Sequence, residues 1–130
     1  MISYNFETGQ LICNTNIKQV EQFIKGFKMT WETFKLRITF WGTERQLYKE
    51  VSVRTQIDQL VEEVGEVKKA YEEETVGNLM VEIGDVYTVL HNLCHMLGVE
   101  PEECMELTWG KIKDCNGEFI DGNYVREKVN

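Results

Sequence analysis

Between Val53 and Leu97 the chain reads as two consecutive helices, each with an acidic signature at helical spacing: Glu62-Glu63-x-x-Glu66 on the first and Glu82-x-x-Asp85 on the second. Residues three or four apart are neighbours on one helix face, so each signature makes a small carboxylate patch. Fifteen residues separate Glu66 from Glu82, so an antiparallel helix pair with a short turn brings the two patches together. Concentrated carboxylates without paired bases call for a hard divalent cation, Mg2+ first and Mn2+ as its substitute. That chemistry points to phosphate.

Glutamates on an amphipathic helix are ordinarily a solvated face. Glu62, Glu63 and Glu66 lie largely away from the apolar stripe of residues 53–74, made of Val53, Ile57, Leu60, Val61, Val64, Val67 and Tyr71, although Glu63 and Glu66 border its Val67 side. The second helix shifts the balance. Residues 79–97 are apolar almost all round, which predicts a central helix. Wound at about 100° per residue, its polar seam is Gly84, Thr88, His91 and His95, which assigns both histidines to the surface. Glu82 and Asp85 lie on the opposite side with Val89, Asn92 and Met96. Asn92, seven residues beyond Asp85, sits almost directly above it. An acidic pair in an apolar surface is costly if buried and uncompensated, and a bound cation removes the cost.

The other elements are shorter. Residues 2–13 predict an extended hairpin turning at Glu7-Thr8-Gly9, and residues 17–27 a short helix. Residues 31–48 carry Trp31, Phe34, Leu36, Ile38, Trp41, Leu47 and Tyr48 at helical spacing, interrupted by Gly42. Thr75-Val76-Gly77-Asn78 predicts the break between the two acidic helices, and Gly98 closes the second. Pro101 opens a helix running to about Asp114, with Glu102 and Glu103 at its positive end. Asp121-Gly122 between Glu118-Phe119-Ile120 and Asn123-Tyr124-Val125 predicts a hairpin. The expected fold is all-α: an antiparallel helical bundle in a single domain, residues 1–130, with short extended hairpin segments at both termini.

A net charge of −8 offers no basic stripe for a nucleic-acid polymer. No apolar run is long enough for a membrane span, and the first twenty residues lack the apolar core of a signal peptide. Cys13, Cys94, Cys104 and Cys115 show no C-x-x-C spacing, so reduced thiols, no zinc site and a cytoplasmic protein are expected.

The order E-E-x-x-E, spacer, E-x-x-D resembles the MazG-like nucleotide pyrophosphohydrolases of the all-α NTP pyrophosphatase superfamily, in particular small phage-type members. The resemblance spans roughly residues 38–125, leaving residues 1–37 as an extension without an assigned role. It rests on Trp41-x-x-Glu44-Arg45-x-Leu47, on Leu60-Val61-Glu62-Glu63-Val64-Gly65-Glu66 and on Glu82-Ile83-Gly84-Asp85-Val86. It continues through Leu90-His91-Asn92-Leu93, Leu97-Gly98-Val99-Glu100-Pro101-Glu102-Glu103, Lys111-Ile112-Lys113-Asp114 and the closing hairpin. The resemblance implies hydrolysis of nucleoside triphosphates between the α and β phosphates, to a monophosphate and pyrophosphate, by a dimer or tetramer. It implies Glu63, Glu66, Glu82 and Asp85 as Mg2+ ligands and Glu62 as a water-activating or outer residue. Asn92 would then meet the sugar or a ligand carboxylate, and Lys111 and Lys113 the phosphates.

Trp41 is a candidate to stack on a base, against the commoner role of such aromatics in packing, and Arg45 and Arg126 are candidate phosphate ligands. Three departures from the pattern remove basic or polar residues: Gln59 for a lysine, Trp109-Gly110 for an asparagine, and Cys115-Asn116 for a basic pair. They motivate a second expectation, a helical protein of this type that binds a nucleotide or a protein partner with little or no turnover. A carboxylate-bridged di-iron bundle ranks below both, because its Glu-x-x-His pairs do not occur here.

Overall fold

The computed structural model describes residues 4–5, 10–11, 26, 28–73 and 76–127. They form two compact units, Met1–Gly98 and Val99–Asn130. The first holds strands β1 (Tyr4–Asn5) and β2 (Gln10–Leu11) and helices α1 (Trp31–Glu44), α2 (Leu47–Glu50), α3 (Val53–Glu72) and α4 (Val76–Leu97); the second holds α5 (Pro101–Ile112) and strands β3 (Gly117–Ile120) and β4 (Asn123–Arg126). The protein is mostly helical, as its sequence predicts. Among the described residues no helix is long and apolar enough to cross a membrane.

In the first unit, β1 and β2 pair antiparallel with Tyr4 opposite Leu11 and Asn5 opposite Gln10. The turn expected at Glu7–Gly9 and the helix expected over 17–27 lie outside the described residues. Helix α1 starts at a reciprocal cap: the Thr33 backbone N–H donates to the Thr30 hydroxyl, and the Thr30 N–H donates to the Thr33 hydroxyl. These bonds satisfy amide donors that a helix start otherwise leaves orphaned. The single helical segment expected over 31–48 is divided. Gln46 takes a left-handed conformation at φ 57°, so the chain turns out of α1 and restarts as α2.

Gly42 explains why the turn holds. A Cβ there would stand 2.7 Å from the Tyr48 ring, so only glycine lets that ring lie against α1. Helix α3 is capped by the Ser52 hydroxyl, which accepts from Thr55 N–H at 3.1 Å.

Helices α3 and α4 form the main antiparallel pair, and α4 also packs against α1 and α2. Helix α4 begins at Val76, so Val76-Gly77-Asn78 is helical rather than the expected break. Gly77 and Asn78 lie in the exposed first turn of α4, where the propensity penalty of a helix interior applies least. The core is built on Leu36, Phe40, Ala70 and Val89.

The burial of α4 overturns the expected polar seam in part: His95 is exposed, as expected, but His91 is not. His91 is 6% exposed, with Nε2 2.7 Å from the Thr39 hydroxyl of α1. The face left open is apolar and carries Met80, Ile83, Tyr87, Leu90 and Leu97. The stripe of α3 also divides: Leu60 and Val67 turn inward with Gln56 and Ala70, while Ile57, Val61, Val64 and Tyr71 stay exposed.

In the second unit Pro101 opens α5, which ends at Ile112 with Lys113 as its cap. Strands β3 and β4 pair in the expected register, Ile120 opposite Asn123. Asp121 (φ 51°) and Gly122 (φ 81°) occupy the two left-handed positions that a tight two-residue hairpin turn demands. Cys94, Cys104 and Cys115 form no disulfide.

Candidate active site

The α3–α4 pair brings Glu63, Glu82 and Asp85 into one corner, where a carboxylate oxygen from each lies within 4.8 Å of the other two. All three are half-buried. Glu62 and Glu66 are exposed on α3 and lie outside this trio. The Glu82 carboxyl is held above the usual carboxylate range by desolvation first, then by the negative charges of Asp85, Glu66 and Glu63 and a hydrogen bond with Asp85. The corner thus favours a positive ligand or a retained proton.

The donor set fits a hard divalent cation, because it is all carboxylate oxygen. An octahedral ion with bonds of about 2.1 Å spaces its ligand oxygens by about 3–4 Å, within reach of small side-chain rotations here. Gln59, which replaces the expected lysine, donates its side-chain amide to Glu63 Oε1 at 2.8 Å. A neutral amide orients that carboxylate without cancelling its charge.

Beside the acidic corner lies a cavity of about 380 Å³. Trp41, Leu47 and Val51 line it from the α1–α2 region, Thr55, Gln56, Gln59 and Glu63 from α3, and Asp85, Thr88, Val89 and Asn92 from α4. Among the described residues its only charged lining residues are Glu63 and Asp85, so one end is acidic and the rest apolar or neutral. Asn92 is 2% exposed, and its Oδ1 accepts the Tyr48 hydroxyl at 2.6 Å. Burial raises the Tyr48 phenol well above its ordinary pKa, with a hydrogen bond from Thr39 opposing in part, so it stays protonated and donates.

Trp41 lines the cavity, and the Arg45 guanidinium lies 4.7 Å from the centre of its ring. Trp31 instead packs against Phe34 and Tyr87, and Trp109 is exposed. Lys111, Lys113 and Arg126 are exposed residues of the second unit. Lys68 and Lys69 are exposed, and neither forms an ion pair with Glu72 or Glu73.

Gln56 was not anticipated as a site residue. It is 4% exposed and lines the cavity. Its signal was in the sequence: Asn92 stands two turns beyond Asp85, and Gln56 stands two turns before Glu63, so antiparallel helices must set them on the same groove.

Comparison with known families gives one match: the MazG nucleotide pyrophosphohydrolase domain, over residues 51–115, half of the chain. Comparison with curated proteins and with solved structures gives no match.

Proposed function

The chain belongs to the MazG nucleotide pyrophosphohydrolase family, and on that footing we propose that it is an Mg2+-dependent nucleoside triphosphate pyrophosphohydrolase, cleaving between the α and β phosphates to give a monophosphate and pyrophosphate. The observation that carries this reading is the acidic trio at one end of a neutral, partly aromatic cavity. Glu63, Glu82 and Asp85 would hold the ion, with Glu66 close enough to add its charge. Bound there, a divalent ion neutralises phosphate charge and makes the phosphoanhydride more electrophilic; Mn2+ would serve in its place.

The chain's own residues do the rest. Gln59 fixes one oxygen of Glu63, Glu62 is the candidate to take a proton from the attacking water, and Trp41 and Asn92 hold the nucleoside. Lys111 and Lys113 are assigned to the phosphates by the family resemblance, and Arg45 is a further candidate for them.

A homo-oligomer, dimer or tetramer, belongs to the same proposal. Ile57, Val61 and Val64 on α3 and Ile83, Tyr87 and Leu90 on α4 are exposed at helical spacing. Such contiguous apolar faces usually mark an interaction surface.

One observation favours a second reading, binding with little or no turnover: among the described residues no basic side chain lines the cavity. Pyrophosphate release from a panel of ribo- and deoxyribonucleoside triphosphates, with Mg2+ and with EDTA, separates the two. Metal-dependent release supports hydrolysis; silence across the panel from folded, metal-loaded protein supports the second reading.

A further inference from the structure

The neutral end of the cavity holds two buried primary amides, and they are not equivalent. The Asn92 oxygen is committed to Tyr48, while Gln56, 4% exposed, makes no side-chain hydrogen bond among the described residues. Neither of its amide atoms is among the fully buried side-chain atoms that lack a partner, so the amide opens onto the cavity it lines, where a ligand can supply its hydrogen-bond partners. We propose that Gln56 is the specificity-determining residue of this site, pairing its amide with a nucleobase edge that presents a donor beside an acceptor, with the base seated against Trp41.

The inference rests on the nucleotide reading above and deepens it. Gln56 and Glu63 stand seven positions apart on α3, about 10 Å of helix rise, which sets the base at the neutral end and the phosphates at the acidic end. A primary amide offers one donor face and one acceptor face and matches such an edge in two bonds, as glutamine does with adenine. The Asn92 N–H2 group remains available for an acceptor on the base or sugar. A site built around hydrogen bonds to its substrate rejects analogues that lack them, because its own polar groups are then left unpaired.

The test has two arms. In the first, kcat/KM is measured for the best nucleoside triphosphate and for the abasic deoxyribose triphosphate, in wild type and in the near-isosteric Gln56→Met. The ratio between the two substrates is expected to fall about 10- to 100-fold in the variant; an unchanged ratio, including a proportional loss on both, overturns the proposal. In the second, the Gln56 side-chain amide resonances of the wild type are followed by NMR during titration with AMP, CMP, GMP and UMP in EDTA. A saturable shift with at least one of them supports the proposal, and no shift with any overturns it. This arm needs neither a variant nor turnover, so a protein that hydrolyses nothing would sink the hydrolase reading while the resonance still decides the role of Gln56.

Discussion

The Tyr48 hydroxyl donates to Asn92 Oδ1 at 2.6 Å, tying the turn between α1 and α3 to the floor of the cavity. The bond fixes which face of the Asn92 amide a ligand meets. Tyr48→Phe leaves a buried carbonyl oxygen without its donor, so a loss of about 1–2 kcal/mol is expected from urea unfolding, with a higher KM for nucleotide. Unaltered stability and unaltered KM would show that the bond orients nothing.

Gly42 and Tyr48 are a steric pair. Gly42→Ala places a methyl group 2.7 Å from the Tyr48 ring, and either the ring or α2 must move. The expected cost is about 1–3 kcal/mol, despite alanine being the better helix former. A stabilised variant in thermal melts would show that the ring has room to give.

Gln59 supports Glu63 from outside the acidic trio. Residues that orient a metal ligand typically contribute 10- to 100-fold in metal affinity. Gln59→Ala is therefore expected to raise the Mg2+ concentration for half-maximal effect by about tenfold, read by activity or by isothermal titration. An unshifted Mg2+ curve would remove Gln59 from the site.

The raised pKa of Glu82 gives a pH signature. Its folded value lies above its unfolded value, so its contribution to stability is fully present below the unfolded pKa and is lost as pH rises through the folded one. The metal-free protein therefore carries an electrostatic penalty at neutral pH that a divalent cation bound at this corner would relieve. The rise in Tm on replacing EDTA with Mg2+ should be larger at pH 7.5 than at pH 5. Equal rises at both values would show that the ion does not act at this corner.

Val61 and Leu90 test the proposed assembly, since both lie on the exposed apolar faces. A charge at such a site in an isolated chain changes stability by only about 0.5 kcal/mol. Within an oligomer interface, Val61→Glu or Leu90→Glu should dissociate the protein, as read by sedimentation. A wild type that sediments as a monomer would overturn the assembly.

Much of the fold was legible because helical periodicity is local. The two long helices, the Pro101 start, the Asp121-Gly122 turn and the pairing register of the last hairpin follow from residues close in sequence. So does the meeting of the acidic patches, since two helices joined by a short connection pack antiparallel, and Glu63, Glu82 and Asp85 then share a corner.

The tertiary structure decided what depends on a partner distant in the chain. His91 read as a surface residue because α4 alone gives no sign that Thr39, 52 residues away, would meet its ring. The division of 31–48 turned on Gln46 adopting a left-handed conformation, which no periodicity announces. Glu66 reads as one of four equivalent carboxylates, yet it stays exposed outside the trio, because the rotation of α3 about its own axis is set by packing. The same rotation turns Gln56 inward and leaves Ile57 and Val61 outside. By itself the sequence determined which elements form and which residue types converge; only their packing decided which side chains face the cavity, because burial is a property of the assembled helices and not of any one of them.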